Sequence, residues 1–421
     1  MEAILWVLPY IPVFLIVISL VITIHELGHY WIGRWFGTAA ESFAIGFGKP
    51  IVEFRDKRGT RWRINWLPLG GFVGFIGETK SQQDAMQKAS AVGDAEEREK
   101  LKAAAASAPR PAGAIEGGET TFFDGRIYVG RPLHALGPWQ RIAVYLGGPI
   151  LNFIFAILVF SMIGYANGLP QAKEVYVTSV IKGGAAEAAG FKNGDIILQA
   201  GGRAVQTGYD VTSVTQLNSG EPVTYLVRRG LDELTLVATP KLVEVSDKAL
   251  RMKQKVGQVG IGIAQRDTSI RGLSAVEAVG YGFTRTTDTV GQTINVIRRL
   301  LTGRESLDKL SGPVGILHLT SGVTEMTMKQ EGVELSEKIR QLLFMLFQLA
   351  AALSVAIGFF NLVPLPFLDG GRVVMTLPEA ATGRPLSAKV ENAALTFGLV
   401  CLVGFALVVT LQDFFRLSGG S

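Results

Sequence analysis

His25-Glu26-Leu27-Gly28-His29 sets two imidazoles four residues apart, with a carboxylate beside the first. On an α-helix residues i and i+4 share a face, so the rings converge on one point while Glu26 projects beside them. Converging imidazoles hold a divalent cation and the adjacent carboxylate can take a proton from water, which is the geometry of a zinc site with a built-in base. A lone helical histidine is ordinarily just a satisfied polar group. Here two of the chain's four histidines close an unbroken apolar run, LWVLPYIPVFLIVISLVITI. A charged side chain at the centre of a span costs about 2.5–3.5 kcal/mol on insertion scales, and those that occur there usually mark function.

Two histidines are not enough, because a hydrolytic zinc site takes three protein ligands and leaves a fourth position for water. Another apolar stretch ends in Asn361-Leu362-Val363-Pro364-Leu365-Pro366-Phe367-Leu368-Asp369-Gly370-Gly371. Its two prolines break helical geometry, and the glycine pair permits a tight return of the chain. Asp369 is the only acidic residue over 342–377. It fits as the third ligand or as the N-cap of a helix starting near Gly370. His134 and His318 are the rival ligands.

The elements that must position these groups are membrane spans. The 421-residue chain is 48% hydrophobic and has a positive mean hydropathy. Four stretches, 5–23, 142–166, 342–362 and 393–411, are near the length of about 20 residues that a helix needs to cross a bilayer. The first has Glu2 but no Lys or Arg before it and no small-residue cleavage site after it, so it is expected to stay as a span. Arg34, Arg131, Arg141, Arg372, Arg384 and Lys389 lie near the span ends, which predicts termini outside, 30–141 and 364–391 in the cytoplasm, and 167–341 outside. The net charge of +5 comes without a basic cluster interleaved with aromatics, so nucleic acid is not an expected partner. Cys401 is the single cysteine and cannot form an intramolecular disulfide.

The expected organisation starts with the first span and a β element over 1–78. A flexible insert rich in Ala, Lys, Glu, Ser and Gln follows over 79–120, with a short helix around 95–106. Next come an amphipathic approach and second span over 121–168, an external domain over 173–265, an amphipathic helical linker over 270–341, and the last two spans over 342–421. Trp62, Ile64 and Trp66 alternate with Arg61, Arg63 and Asn65 while Gly59 lies in a turn, which predicts a hairpin. An open edge of this hairpin, which spans 52–66, suits pairing with an extended chain segment by strand addition, and the hairpin equally suits packing against the membrane surface. A strand over 175–180, a small-residue helix over 183–190 and a strand opened by Asn193-Gly194 resemble a PDZ domain extending to about Ile263. Over 273–301, Val276, Val279, Phe283, Val290, Ile294 and Ile297 form an amphipathic stretch, suited to the membrane surface or to packing beneath that domain. The fold class expected is a polytopic α-helical membrane protein with four spans, a membrane-associated β-hairpin or sheet and one external PDZ-like α+β domain.

The histidine motif in a first span, with the Asn361 to Gly371 stretch closing a third, resembles the site-2 protease family of intramembrane zinc metalloproteases. Gly46-Phe47-Gly48-Lys49, Leu67-Pro68-Leu69-Gly70-Gly71, Gly147-Gly148-Pro149-Ile150-Leu151-Asn152 and Leu310-Ser311-Gly312-Pro313-Val314-Gly315 resemble its bacterial RseP-like branch, in family order. The resemblance implies that His25, His29 and Asp369 bind Zn²⁺, that Glu26 is the catalytic base and that Asn361 helps hold the substrate. It also implies a membrane-associated β element, which makes Arg61, Trp62, Arg63 and Ile64, with Gly46 and Gly48, candidates for substrate binding. Asn152 is a second intramembrane amide, for which an interhelical hydrogen bond of about 0.6 kcal/mol is an equal reading. The implied activity is site-2 cleavage of single-span membrane proteins such as anti-sigma factors, after an earlier external cut, and of remnant signal peptides. The implied place is the bacterial inner membrane, zinc site towards the cytoplasm and PDZ-like domain in the periplasm. Some RseP-like proteins carry two PDZ domains, whereas one signature is found here. Two other classes compete: a membrane adaptor with a structural zinc, which needs four protein ligands, and a metal transporter, which needs further ligands along the spans.

Overall fold

The computed structural model describes residues 6–78, 119–124, 126–247, 252–303 and 312–418. The insert expected over 79–120, with its short helix, falls almost wholly outside the described residues. Helix α1 (Ile11–Trp35) is a single rod carrying both the apolar run and the histidine motif. Pro12 sits in its first turn, where a missing N–H costs nothing, and the chain turns only at Gly37 with φ +78°. The first span therefore reaches Trp35 instead of stopping at position 23.

Strands β1 (Ala40–Arg55) and β2 (Arg61–Phe75) are antiparallel and joined by a tight turn. The Asp56 carboxylate accepts the N–H groups of Arg58 and Thr60, both at 2.9 Å, and Gly59 takes φ +91°. The ladder then doubles back on itself. Residues 61–64 pair with 52–55 on one side and 42–45 on the other, and 42–45 pair in turn with 71–74. Bends at Gly46, Gly48 and Gly70, all at positive φ, make this possible. At Gly46 a Cβ would stand 2.5 Å from the Leu67 carbonyl oxygen. The plain hairpin expected from alternation is thus a folded one, whose free edges are 52–55 and 71–75. A small hairpin of β3 (Thr120–Phe123) and β4 (Arg126–Val129) follows. Arg34, at the end of α1, donates to the carbonyls of Thr38 at 2.7 Å and Val129 at 2.9 Å.

Helix α2 (Pro138–Asn167) is the second apolar rod. Beyond it come β5 (Leu169–Val180), α3 (Ala185–Ala188), β6 (Ile196–Ala200), β7 (Arg203–Ala204), α4 (Gly208–Leu217), β8 (Val223–Arg229), β9 (Asp232–Ala238), β10 (Lys241–Asp247), β11 (Met252–Gln258) and β12 (Ile261–Arg271). The main sheet runs β12-β5-β6-β8-β9, with β7 against β6, and β10 pairs with β11 separately. Alternate residues Val223, Tyr225 and Val227 face inwards with Val177 and Ile197, the period-2 signature of a half-buried sheet. The sheet ends at Arg271, past the expected limit near Ile263.

Helix α5 (Ala275–Leu301) starts with a capping box between Ser274 and Glu277. Its buried residues are the small Ala278, Gly282 and Thr286 and, near its end, Arg299, while Val276, Val279, Phe283 and Ile294 are exposed. A Cβ on Gly282 would lie 2.3 Å from the Ile157 carbonyl oxygen, so small side chains set this approach. Helix α6 (Pro313–Met328), within the stretch expected to be an amphipathic helical linker, buries the polar His318, Thr320, Ser321, Thr324 and Glu325. Asp413 accepts the Gly315 N–H at its start, at 2.7 Å. The chain closes with α7 (Leu335–Asn361), α8 (Asp369–Thr382) and α9 (Ala388–Ser418). Among the described residues four helical stretches are long and apolar enough to cross a membrane: Leu8–Trp35, Pro138–Asn167, Leu335–Asn361 and Lys389–Asp413. The molecule divides into two compact units, one formed by Pro9–Ala156 and Leu346–Val408 and the other by the remainder. The histidine motif and Asp369 belong to the first.

Candidate metal centre

His25 and His29 are buried on one face of α1, and Asp369 is the first residue of α8. The Nε2 atoms of the histidines lie 3.2 Å apart, and Asp369 Oδ2 lies 3.0 Å from His25 Nε2 and 3.3 Å from His29 Nε2. Ligands about 2.0–2.1 Å from a tetrahedral zinc are about 3.3 Å from one another. The triangle therefore has the size of one face of such a tetrahedron. Among the described residues these three form the only group of metal-ligating side chains so placed. His134 Nδ1 instead lies 3.3 Å from the Gly77 carbonyl oxygen, and His318 packs edge-on against Trp6 at 4.9 Å, so neither rival joins the cluster. The N-cap of α8 is Leu368, and the Asp369 carboxylate turns to the histidines rather than to the backbone.

Backbone without side chains brings these groups together. Helix α7 stops at Asn361, three residues short of Pro364, and the chain turns straight into α8. A Cβ on Gly370 would lie 2.3 Å from the Leu362 carbonyl oxygen, and one on Gly371 would lie 2.0 Å from that of Leu365. The return that delivers Asp369 thus has room only for glycine. On the other side, a Cβ on Gly28 would stand 2.1 Å from the Gly147 oxygen, and one on Gly148 would stand 2.4 Å from His29 Nε2. The Gly147-Gly148 pair, whose role was not read from the sequence, lets α2 lie directly on the histidine face.

Glu26 Oε2 accepts the backbone N–H of Val73 at 3.1 Å, which aims the carboxylate along the outer edge of β2. A cavity of about 370 Å³ opens here, lined by the triangle and by Glu26, Gly71, Asn361 and Arg372 among others. Asn361 Nδ2 is 3.5 Å from His25 Nε2. Burial alone would raise the Asp369 pKa, but hydrogen bonds and charge from the two histidines hold it well below the usual carboxylate range. Arg372, one turn further along α8, forms an ion pair with Glu78 and lies over the Tyr145 ring at 5.7 Å. Burial opposes its charge, yet Glu78 and Tyr145 keep its pKa above the ordinary value. This pair ties α8 to the end of β2, and local pattern gave no signal for it.

The hairpin candidates have structural partners. Arg61 bonds Glu41 at 3.2 Å, Arg63 lies over the Phe72 ring at 6.0 Å, and Trp62 stacks on Phe43 at 4.5 Å while donating to Asp56 at 3.2 Å. The Gly46 carbonyl accepts from Asn65 at 2.8 Å, Gly48 has open space around it, and Ile64 is about half exposed. Because 61–64 are paired on both sides, their backbone offers no open edge, and the free edge of the expected 52–66 hairpin is 52–55. The edge beside Glu26 belongs to 71–75.

Residues 13–405 match peptidase family M50. The chain is 35% identical to Metalloprotease MmpA of Caulobacter vibrioides, over 96% of this chain and 94% of that protein. It is 34% identical to Putative zinc metalloprotease Atu1380 of Agrobacterium fabrum, over 97% of each. It is 30% identical to Regulator of sigma-W protease RasP of Bacillus subtilis, over 96% of this chain and 98% of that one.

Proposed function

The chain belongs to peptidase family M50 and is a multi-pass membrane zinc metalloprotease, and on that premise we propose that it hydrolyses peptide bonds in transmembrane segments at the His25–His29–Asp369 centre. The observation that carries this reading is the position of Glu26, held by Val73 beside three converging ligand atoms. Zn²⁺ held by those atoms would lower the pKa of water and polarise the scissile carbonyl. Glu26 takes the proton from the attacking water and passes it to the leaving amine. Asn361 is in place to hold the substrate backbone near His25. A helical substrate must first lose its internal hydrogen bonds. Strand addition at the outer edge of 71–75 would present it in extended form next to Glu26. Among the described residues three protein ligands converge, and a zinc held by three would leave a fourth position for water, which favours catalysis over a structural zinc in an adaptor.

The substrate class that fits is a single-span membrane protein already shortened outside the membrane, such as an anti-sigma factor or a remnant signal peptide. The relative named Regulator of sigma-W protease supports this direction. Basic residues near the span ends support a bacterial inner-membrane protein with its zinc centre towards the cytoplasm and residues 169–271 in the periplasm. We read that region, an antiparallel sheet with two helices, as a PDZ-like domain that screens substrates. The exposed Val276, Val279 and Phe283 fit α5 to the membrane surface. Purified Glu26→Gln protein is expected to keep zinc and lose cleavage of a single-span test substrate. Trapping with the same variant in native membranes should retain single-span proteins; persistent proteolysis, or a catch without such proteins, would overturn the mechanism or the substrate class respectively.

A further inference from the structure

We propose that Asn152 sets the tautomer of His25, accepting its Nδ1–H so that the Nε2 lone pair is directed at the metal. The inference rests on the metal role given to His25 and concerns what makes that role possible. An imidazole ligates through one nitrogen only if the other carries the proton, and a partner on that other nitrogen decides which. For His29 the partner is unambiguous. Its Nδ1 lies 2.8 Å from the Val144 carbonyl oxygen, which can only accept, so Nδ1 is the protonated atom and Nε2 bears the lone pair.

His25 needs the same arrangement, since its Nε2 points into the same triangle. The group facing its Nδ1 is the Asn152 amide, 3.2 Å away and fully buried. As placed, Nδ2 faces the ring and Oδ1 has no hydrogen-bond partner. Amide oxygen and nitrogen differ so little in shape that their assignment follows from the hydrogen-bond network. A half-turn of the amide puts the unpartnered Oδ1 against Nδ1, and among the described residues Nδ2 has no other side-chain or backbone acceptor to give up. With Nδ2 facing the ring, by contrast, His25 would carry its proton on Nε2, within the triangle itself. Ser354 donates to the Asn152 backbone carbonyl at 3.1 Å, and Gly358 leaves only 3.2 Å between a would-be Cβ and Asn152 Cβ, so α7 closes over the amide. Val144 and Asn152 thus flank the Gly147-Gly148 approach and present one acceptor to each histidine. Asn152 is a positioning residue: it does not touch substrate and acts through His25.

The test uses the full-length protein in detergent. Zinc affinity is measured by chelator competition for wild type, Asn152→Leu and Asn152→Asp, together with ¹H–¹⁵N spectra of the zinc-loaded wild type labelled at histidine nitrogen. Loss of an outer partner of a metal-ligating histidine weakens affinity about 10–100-fold. That loss is expected for the leucine variant, with metal-free thermal unfolding little changed, while the aspartate variant, which keeps an acceptor, stays within about threefold of wild type. The spectrum should show a slowly exchanging Nδ1–H on His25. Wild-type affinity in the leucine variant, equal losses in both variants, or coordination of His25 through Nδ1 would each overturn the proposal. Should the leucine variant fail to fold, the aspartate variant and the wild-type spectrum still decide. If His25→Gln leaves zinc binding intact, the metal centre itself is wrong, a failure distinct from that of Asn152.

Discussion

Val73 donates its backbone N–H to the Glu26 carboxylate at 3.1 Å, so a strand edge rather than a second helix orients the group beside the His25–His29–Asp369 triangle. The next outward-facing donor on the same edge, the Phe75 N–H, goes to Glu78 at 3.2 Å. One strand therefore holds the proposed base and, through Glu78 and Arg372, the helix that carries Asp369.

Removing the Val73 donor should separate positioning of the base from metal binding. Proline is tolerated where a strand N–H points away from its ladder, as it does here. A hydrogen bond to a charged group is worth about 1.5–3 kcal/mol. Val73→Pro is accordingly expected to lower kcat about 10–100-fold with zinc content unchanged, measured by peptide cleavage alongside metal analysis.

Gly148→Ala should act on the metal itself. The new methyl would stand 2.4 Å from His29 Nε2 and 2.7 Å from His25 Cε1, so a ring or the helix must move. Zinc content after purification and activity should fall together. Full zinc occupancy with full activity would show that α2 can withdraw without disturbing the histidines.

Glu78 and Arg372 should behave as a unit. Glu78→Gln and Arg372→Gln are each expected to reduce activity, and the double variant should be scarcely worse than Arg372→Gln alone. For groups in direct contact the coupling is about 0.5–3 kcal/mol. Strict additivity in the double-mutant cycle would mean that the ion pair does not hold α8 in place.

The sheet unit offers a pH test. Asp195 is fully buried and bonds the Arg229 guanidinium at 2.7 Å through each oxygen. Burial pushes its carboxyl upward, but the bonds from Arg229 and the Lys192 N–H outweigh this and leave the pKa lowered. A carboxyl depressed on folding stabilises the native state above its unfolded pKa of about 3.9, and that contribution is lost as pH falls through the folded value. Wild type should therefore resist proteolysis of residues 169–271 better than Asp195→Asn at neutral pH. The gap should close on acidification, as read by limited proteolysis of the full chain across pH.

Much of this site was legible because its signals are local. The i, i+4 spacing of His25 and His29 places two rings on one helical face wherever that helix lies, and apolar content identifies the rods that cross a membrane. Pro364, Pro366 and the Gly370-Gly371 pair likewise announce a break and a tight return through backbone constraints that act within a few residues. Tertiary structure alone decided which of Asp369, His134 and His318 completes the triangle, because that choice depends on where separate helices end in space. It also decided the strand edge. Alternation shows that 61–66 form a strand, but pairing on both sides follows from bends at Gly46, Gly48 and Gly70, which turned 71–75 and not 61–64 towards Glu26. Register is a property of two segments at once, and no single stretch of sequence contains it.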